Sequence, residues 1–121
     1  PVLPVRLLMV LVALCLSPPG FAAERFLSVI EDLPLMPGLE EISGSAMVFS
    51  KPQGRIVEVA ASGTMAERDV WAFYRRTLPG LGWRRTRPGH WRREGEQLSL
   101  GLRSGADGLV VQFSLAPDDR R

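Results

Sequence analysis

The stretch Gly54–Trp83, GRIVEVAASGTMAERDVWAFYRRTLPGLGW, decides the fold of this chain of 121 residues. Its first part alternates between two faces, which is typical of a strand with one buried face. Its second part repeats apolar side chains at the spacing of an amphipathic helix, namely Val70, Phe73, Tyr74, Thr77, Leu78 and Leu81. Thr64 and Glu67 predict a capping box at the start of the helix, and Pro79 predicts its end. The stretch therefore predicts a strand, a helix and a return into another strand.

A β-hairpin is predicted immediately before the helix. Segments 45–50 and 55–62 flank the tetrapeptide Lys51-Pro52-Gln53-Gly54. Pro at the second position and Gly at the fourth are typical of a type I turn. Val57, Val59 and Ala61 share one face of the second strand, and we expect that face to be buried.

Short strands are predicted after the helix, at residues 83–87, 90–94, 97–103 and 109–115. The last two form an antiparallel pair, because the apolar residues of each occupy alternate positions on one face. A hairpin, one amphipathic helix and an antiparallel meander of three or four strands predict an α+β two-layer sandwich of order ββαβββ. The domain is predicted to span residues 45–116, with a flexible tail at 117–121.

The first 22 residues have the pattern of a signal peptide. Arg6 precedes the apolar run Leu7–Leu16, and a Pro-Pro-Gly segment with small residues follows. We expect cleavage after Ala22, or after Ala23, and a periplasmic or secreted protein. The alternatives are a lipoprotein attached at Cys15 and a retained anchor, although the run is shorter than the ~20 residues that span a bilayer.

Residues 23–44 are predicted to form an irregular N-terminal arm, because Pro34 and Pro37 interrupt regular structure. Two interpretations of its apolar residues remain open. The arm packs over the sheet of its own domain, or it docks onto another protein with acidic residues at its rim. The residues predicted for docking are Leu33, Leu35, Met36 and Leu39.

Few residues are suited to catalysis. His90 is the single histidine, and Cys15, the single cysteine, lies in the predicted signal peptide. A histidine triad, a histidine metal cluster or a cysteine nucleophile therefore cannot be assembled. We expect His90 to be an exposed turn residue, no enzymatic activity, and neither metal nor cofactor. An acid–base site at Glu58 or Glu94 is the one enzymatic alternative.

Charge segregation is the feature that favours a binding function. Segment 75–93 holds seven arginines and no acid, whereas the arm is acidic. The predicted binding surface consists of Arg84, Arg85, Arg87, Trp91, Arg92 and Arg93. Arginines and aromatic faces together bind anionic polymers. The alternative is structural: the tryptophans fill the core, and the arginines face solvent or pair with the acids of the arm.

The segments VWAFYRRTLPGLGW (70–83), HWRREGEQLSLGL (90–102) and VVQFSLAP (110–117) resemble a set of small exported bacterial proteins of unknown function. This resemblance implies a shared fold and periplasmic residence, and no functional residue.

The predicted function is that of a non-catalytic protein-interaction domain of the cell envelope, whose partner is another envelope protein. The alternative is a module that binds an anionic envelope polymer or lipid headgroup through the arginine-rich strands. Nucleic acid is not expected as a partner of an exported protein, and membrane contact would come at most from an uncleaved signal segment.

Overall fold

The computed structural model describes residues 25–118. The predicted signal peptide and residues 119–121 lie outside this range. The described chain forms ten elements of regular secondary structure and one short 3-10 turn. In chain order they are β1 (Arg25–Phe26), β2 (Pro34–Leu35), β3 (Glu40–Glu41), β4 (Met47–Lys51), β5 (Gly54–Gly63), α1 (Glu67–Thr77), the 3-10 turn Leu78–Leu81, β6 (Arg84–Arg87), β7 (His90–Arg93), β8 (Glu96–Gly105) and β9 (Gly108–Pro117).

The main sheet is antiparallel, in the order β3-β5-β9-β8-β7-β6. The free side of β5 is shared by two strands, since β4 pairs with Gly54–Glu58 and β3 pairs with Ala61–Ser62. β1 and β2 form a separate two-stranded ladder. The α+β class is therefore confirmed.

The order ββαβββ is wrong, because three strands of two residues each precede the hairpin. A strand of two residues has too few positions to show an alternating pattern, so the sequence did not indicate these three. The four strands that follow α1 agree with the predicted meander of three or four strands.

The buried face of the sheet follows the predicted alternation. Val57, Val59 and Ala61 of β5 are fully buried. They pair with Leu115, Phe113 and Val111 of β9, which are also buried. α1 covers this face with Val70 and Tyr74. The period-2 pattern of the strands and the 3.6-residue pattern of the helix therefore place the core correctly.

The start of α1 differs from the prediction. The helix begins at Glu67, with Ala66 at the N-cap and no capping hydrogen bond from a side chain. Glu67 instead accepts a long hydrogen bond from Ser104 Oγ at 3.4 Å. The capping box predicted from Thr64 and Glu67 is wrong because the helix starts too late for Thr64 to cap it.

The end of α1 agrees with the prediction for Pro79, because the α-helix stops at Thr77 and a 3-10 turn follows. Gly82 has φ of 94° and its N–H donates to Pro79 O at 3.0 Å. This left-handed geometry is easily adopted by glycine. Leu81, predicted to lie on the apolar stripe, is instead exposed at the surface, because the tighter turn rotates it out of the helical register.

The N-terminal arm packs on the core of its own domain. The structure buries Leu33, Leu35 and Leu39, and leaves Met36 half-buried. Tyr74 Oη donates to Pro34 O at 2.8 Å and accepts from the Met36 N–H at 3.1 Å. Three of the four residues predicted for docking are therefore inaccessible to a partner. They are buried because an apolar side chain gains free energy by packing into the adjacent core.

The C-terminal boundary also moves. Pro117 is part of β9, and the Asp118 N–H donates to Gly95 O at 2.8 Å. The predicted flexible tail therefore cannot begin at residue 117.

Candidate anion-binding surface

The predicted arginine surface lies on the β6–β7 hairpin, at one end of the sheet order. All four residues of β6 are exposed. Arg84 pairs with Arg92, Arg85 with Trp91, and Arg87 with His90 across the hairpin, with a register shift between Arg85 and Arg87. The tight turn at Pro88-Gly89 fits its sequence, since Gly89 has φ of 79°.

Arg84 and Arg92 lie directly opposite each other in this register. Like charges at such positions are mutually unfavourable. Arg92 has a counter-ion, because its Nε lies 2.9 Å from Asp118 Oδ2. Within the described part of the chain, no hydrogen bond or ion pair engages the side chain of Arg84. The hairpin therefore presents one uncompensated guanidinium beside a compensated one.

Arg93 connects the hairpin to the arm. Its guanidinium lies over the Trp83 ring, 4.4 Å from the centroid, and Nη2 is 2.8 Å from Asp32 Oδ2. Nη1 donates to Leu81 O at 3.0 Å. Its side chain is 18% exposed, so these contacts are partly shielded from water. Arg93 therefore shows the predicted pairing of an arginine with an acid of the arm, and its role is structural.

Four of the predicted surface residues converge on one open cavity of about 710 Å³. These are Arg84, Arg85, Arg92 and Arg93. Two carboxylates, Asp32 and Glu94, line the same cavity. The remaining lining residues are Leu81, Gly82 and Thr86. The structure thus brings together a set of cations that the sequence spread over two strands.

Trp91 requires a correction. It was predicted on the binding surface, but only 1% of it is exposed. Trp83 is also buried, and its Nε1 has no hydrogen-bond partner in residues 25–118. Trp91 is on the inward face of β7, opposite the buried Leu98. The sequence could not separate the two roles, because an aromatic residue among arginines fits both a core and a stacking platform.

His90 is half-buried at the start of β7, not an exposed turn residue. Its Nδ1 lies 3.1 Å from Pro88 O, and its Nε2 lies 3.3 Å from Arg87 Nη2. A carbonyl only accepts and a guanidinium only donates. These partners therefore assign the proton to Nδ1, and Nε2 accepts a hydrogen bond from Arg87. Arg87 does not line the cavity that the four arginines share.

The two carboxylates considered for acid–base chemistry lie in separate cavities. Glu58 Oε1 accepts from Gln112 Nε2 at 2.9 Å and from Ser114 Oγ at 3.2 Å. Glu94 occupies a turn beside the arginines with φ of 46°. Among residues 25–118, no three His, Cys, Asp or Glu side chains are grouped to hold a metal ion.

A third cavity, of about 360 Å³, lies between α1 and the hairpin. Sequence reasoning missed it. Trp71 and Arg75 line it from the helix, and Arg85 lines it from β6. The available signal was Trp71, a large aromatic residue adjacent to the apolar stripe of α1 but not part of it.

The opposite side of the sheet differs in chemistry. β4 is exposed throughout, including Met47, Val48 and Phe49, which are each about half exposed. β4 and β6 are both exposed strands, but β4 is mainly apolar and β6 is cationic. Charged edge strands resist unwanted strand pairing, so the β6 edge is protected against it and the β4 edge has only Lys51.

Comparison of the chain with protein-family models, with curated proteins and with solved structures gave no significant match. None of the helices within residues 25–118 is long and apolar enough to cross a bilayer.

Proposed function

We propose that this protein is a non-catalytic binding domain of the cell envelope that docks an acidic face of another protein. The docking surface comprises Arg84, Arg85 and Arg92 around the larger cavity. The observation that carries the proposal is the convergence of four arginines on that one cavity. The envelope location depends on the predicted signal peptide.

Arg84 faces Arg92 across the hairpin and has no counter-ion in the described structure. Arg85, adjacent to it on β6, is equally exposed and unpaired there. A carboxylate from a partner would offset the repulsion within the hairpin and form charge-assisted hydrogen bonds.

The mixture of charges favours a protein over a uniform polyanion. Asp32 and Glu94 line the same cavity as the arginines. A polymer with one repeated negative charge would approach both carboxylates unfavourably, whereas a protein surface can place a cation or a donor against them.

The test is crosslinking and co-purification from cell envelopes with the double variant R84Q/R85Q. We expect its reproducible partner to be lost. The matched control is R68Q/R103Q, which removes the same charge from two exposed arginines outside the cavity. Retention of the partner by R84Q/R85Q, or loss with both variants, would contradict the assignment of the surface.

One observation supports the alternative, an anionic polymer or lipid headgroup. β6 carries Arg84, Arg85 and Arg87 within four exposed residues, which forms a continuous cationic strand. Sedimentation with cell walls or anionic vesicles would then fall in R84Q/R85Q/R87Q. It would also fall as salt rises, because dissolved ions screen the attraction between exposed charges. The Debye length is about 8 Å at 0.15 M and shortens at higher ionic strength. Sedimentation that ignores both changes would exclude this alternative.

A further inference from the structure

The cavity between α1 and the β6–β7 hairpin is a groove whose walls are apolar and whose cations are unpaired. Its volume of about 360 Å³ is within the range of small-ligand sites, which is roughly 300–1,000 Å³. Its lining consists of Trp71, Arg75, Arg85, Pro88, Gly89, Trp91 and Leu100.

The apolar part of the groove is well defined. Trp91 and Leu100 are almost fully buried and form its floor. Trp71 of α1 lies against the β6–β7 turn, since a Cβ placed on Gly89 would be 3.4 Å from Trp71 Cη2. The Leu100 N–H donates to Gly89 O at 3.0 Å, which fixes the turn against β8. These contacts hold a flat aromatic wall beside an apolar floor.

The cations come from two different elements. Arg75 projects from α1 and Arg85 from β6, and both line the groove. In the described part of the chain neither guanidinium has a hydrogen bond, an ion pair or a ring contact. No acidic residue lines the groove. By contrast Arg76, the next residue on α1, lies over the Phe73 ring at 6.0 Å from the centroid.

We infer that the groove binds a small carboxylate that carries an aromatic group. The carboxylate would accept hydrogen bonds from Arg75 and Arg85, because the planar guanidinium matches carboxylate geometry. The aromatic group would pack against Trp71 and Pro88. The groove and the protein-docking surface have Arg85 in common and no other residue.

The test is a titration of 3-phenylpropionate, followed by NMR of the indole N–H signals of the three tryptophans. We expect the signals of Trp71 and Trp91 to shift and that of Trp83, which does not line the groove, to stay in place. The control ligand is 3-phenylpropanamide, which has the same shape without charge. It should bind at least about tenfold more weakly, because it loses the charge-assisted bonds.

Two variants locate the carboxylate. R75Q and R85Q should each weaken 3-phenylpropionate binding by about tenfold or more. R76Q and R103Q, which remove an exposed arginine outside the groove, should change it by less than about twofold. All four positions are exposed, and the one ring contact that these substitutions remove is that of Arg76 with Phe73.

Three results would overturn the inference: equal binding of the amide, full affinity in R75Q, or a shift of the Trp83 signal alone. Binding only to a peptide with a C-terminal phenylalanine would replace the small ligand by a peptide terminus. R75Q leaves the docking surface unchanged, so loss of 3-phenylpropionate binding without loss of the protein partner separates the two sites.

Discussion

The N-terminal arm and the β6–β7 hairpin were both candidates for a contact surface, and the fold treats them oppositely. Leu33 and Leu39 of the arm are completely buried, whereas Arg84 and Arg85 of the hairpin are exposed. Burial of a leucine side chain contributes about 1.5–3 kcal/mol, while burial of an unpaired charge is strongly unfavourable. Apolar side chains next to a core are therefore buried in it, whereas a cationic surface remains exposed and available for a partner.

The largest expected effect is on the arm. Leu39→Ala removes a fully buried side chain from the core and should lower the free energy of unfolding by about 2–5 kcal/mol. Urea denaturation followed by circular dichroism measures it. Leu81→Ala, at a 37% exposed position, is the control and should cost less than about 1 kcal/mol. A loss in L39A as small as in L81A would show that the arm does not belong to the core.

The next effect is the pH dependence of the contact between arm and helix. Burial raises the pKa of Tyr74 to about 12, while the hydrogen bond from the Met36 N–H lowers it in part. The folded state therefore retains the phenolic proton that the unfolded chain releases near its pKa of about 10. The resulting stability is present below pH 10 and is lost as pH rises to 12, by about 2–3 kcal/mol.

Tyr74 is the only tyrosine, so tyrosinate absorbance reports its titration directly. Tyr74→Phe should remove this part of the alkaline stability loss, and the difference between the two proteins should shrink from pH 10 to pH 12. Titration near the ordinary tyrosine value would contradict the burial of Tyr74 beneath the arm.

A smaller effect is expected at the ion pair that joins the two regions. Asp32→Asn removes the counter-ion of Arg93, but the Asp32 side chain is 55% exposed. Exposed pairs contribute about 0–1 kcal/mol, so thermal unfolding should change only slightly. Asp107→Asn, at the exposed β8–β9 turn, is the matched control. A loss well above 1 kcal/mol in D32N alone would mean that the hairpin depends on the arm for its stability.

The smallest effect on stability is expected at the hairpin. Arg84→Gln removes a cation opposite Arg92, so the free energy of unfolding should stay within about 0.5 kcal/mol and, if changed, should rise. Urea denaturation beside Arg103→Gln provides the comparison. A marked destabilisation by R84Q would assign Arg84 to the fold and remove it from the proposed docking surface.

Much of the fold was predictable because its signals are local. The alternation through Val57 and Val59, and the stripe through Val70 and Tyr74, depend only on which face of one element is buried. The Pro52–Gly54 turn and the stop at Pro79 depend only on backbone chemistry. The three two-residue strands were missed, because their pairing is determined by contacts with distant segments.

The candidate site was predictable only in part. The sequence indicated the arginines but placed Trp91 among them at the surface, and it gave no indication that Arg75 and Arg85 share a groove. A residue on a helix and a residue on a strand are brought together by packing, for which one sequence carries no periodic signal.

The sequence by itself determined the α+β class, the buried faces of the strands, the helix at Glu67–Thr77 and the segregation of arginine from acid, since these depend on residue type and spacing. Only the tertiary structure decided that the arm is core, that Arg93 is held by Asp32 and Trp83 while Arg84 is left without a counter-ion in the described chain, and that Trp71 faces the hairpin. The physical reason is that burial and pairing are properties of neighbours in space, and those neighbours are many residues apart in the chain.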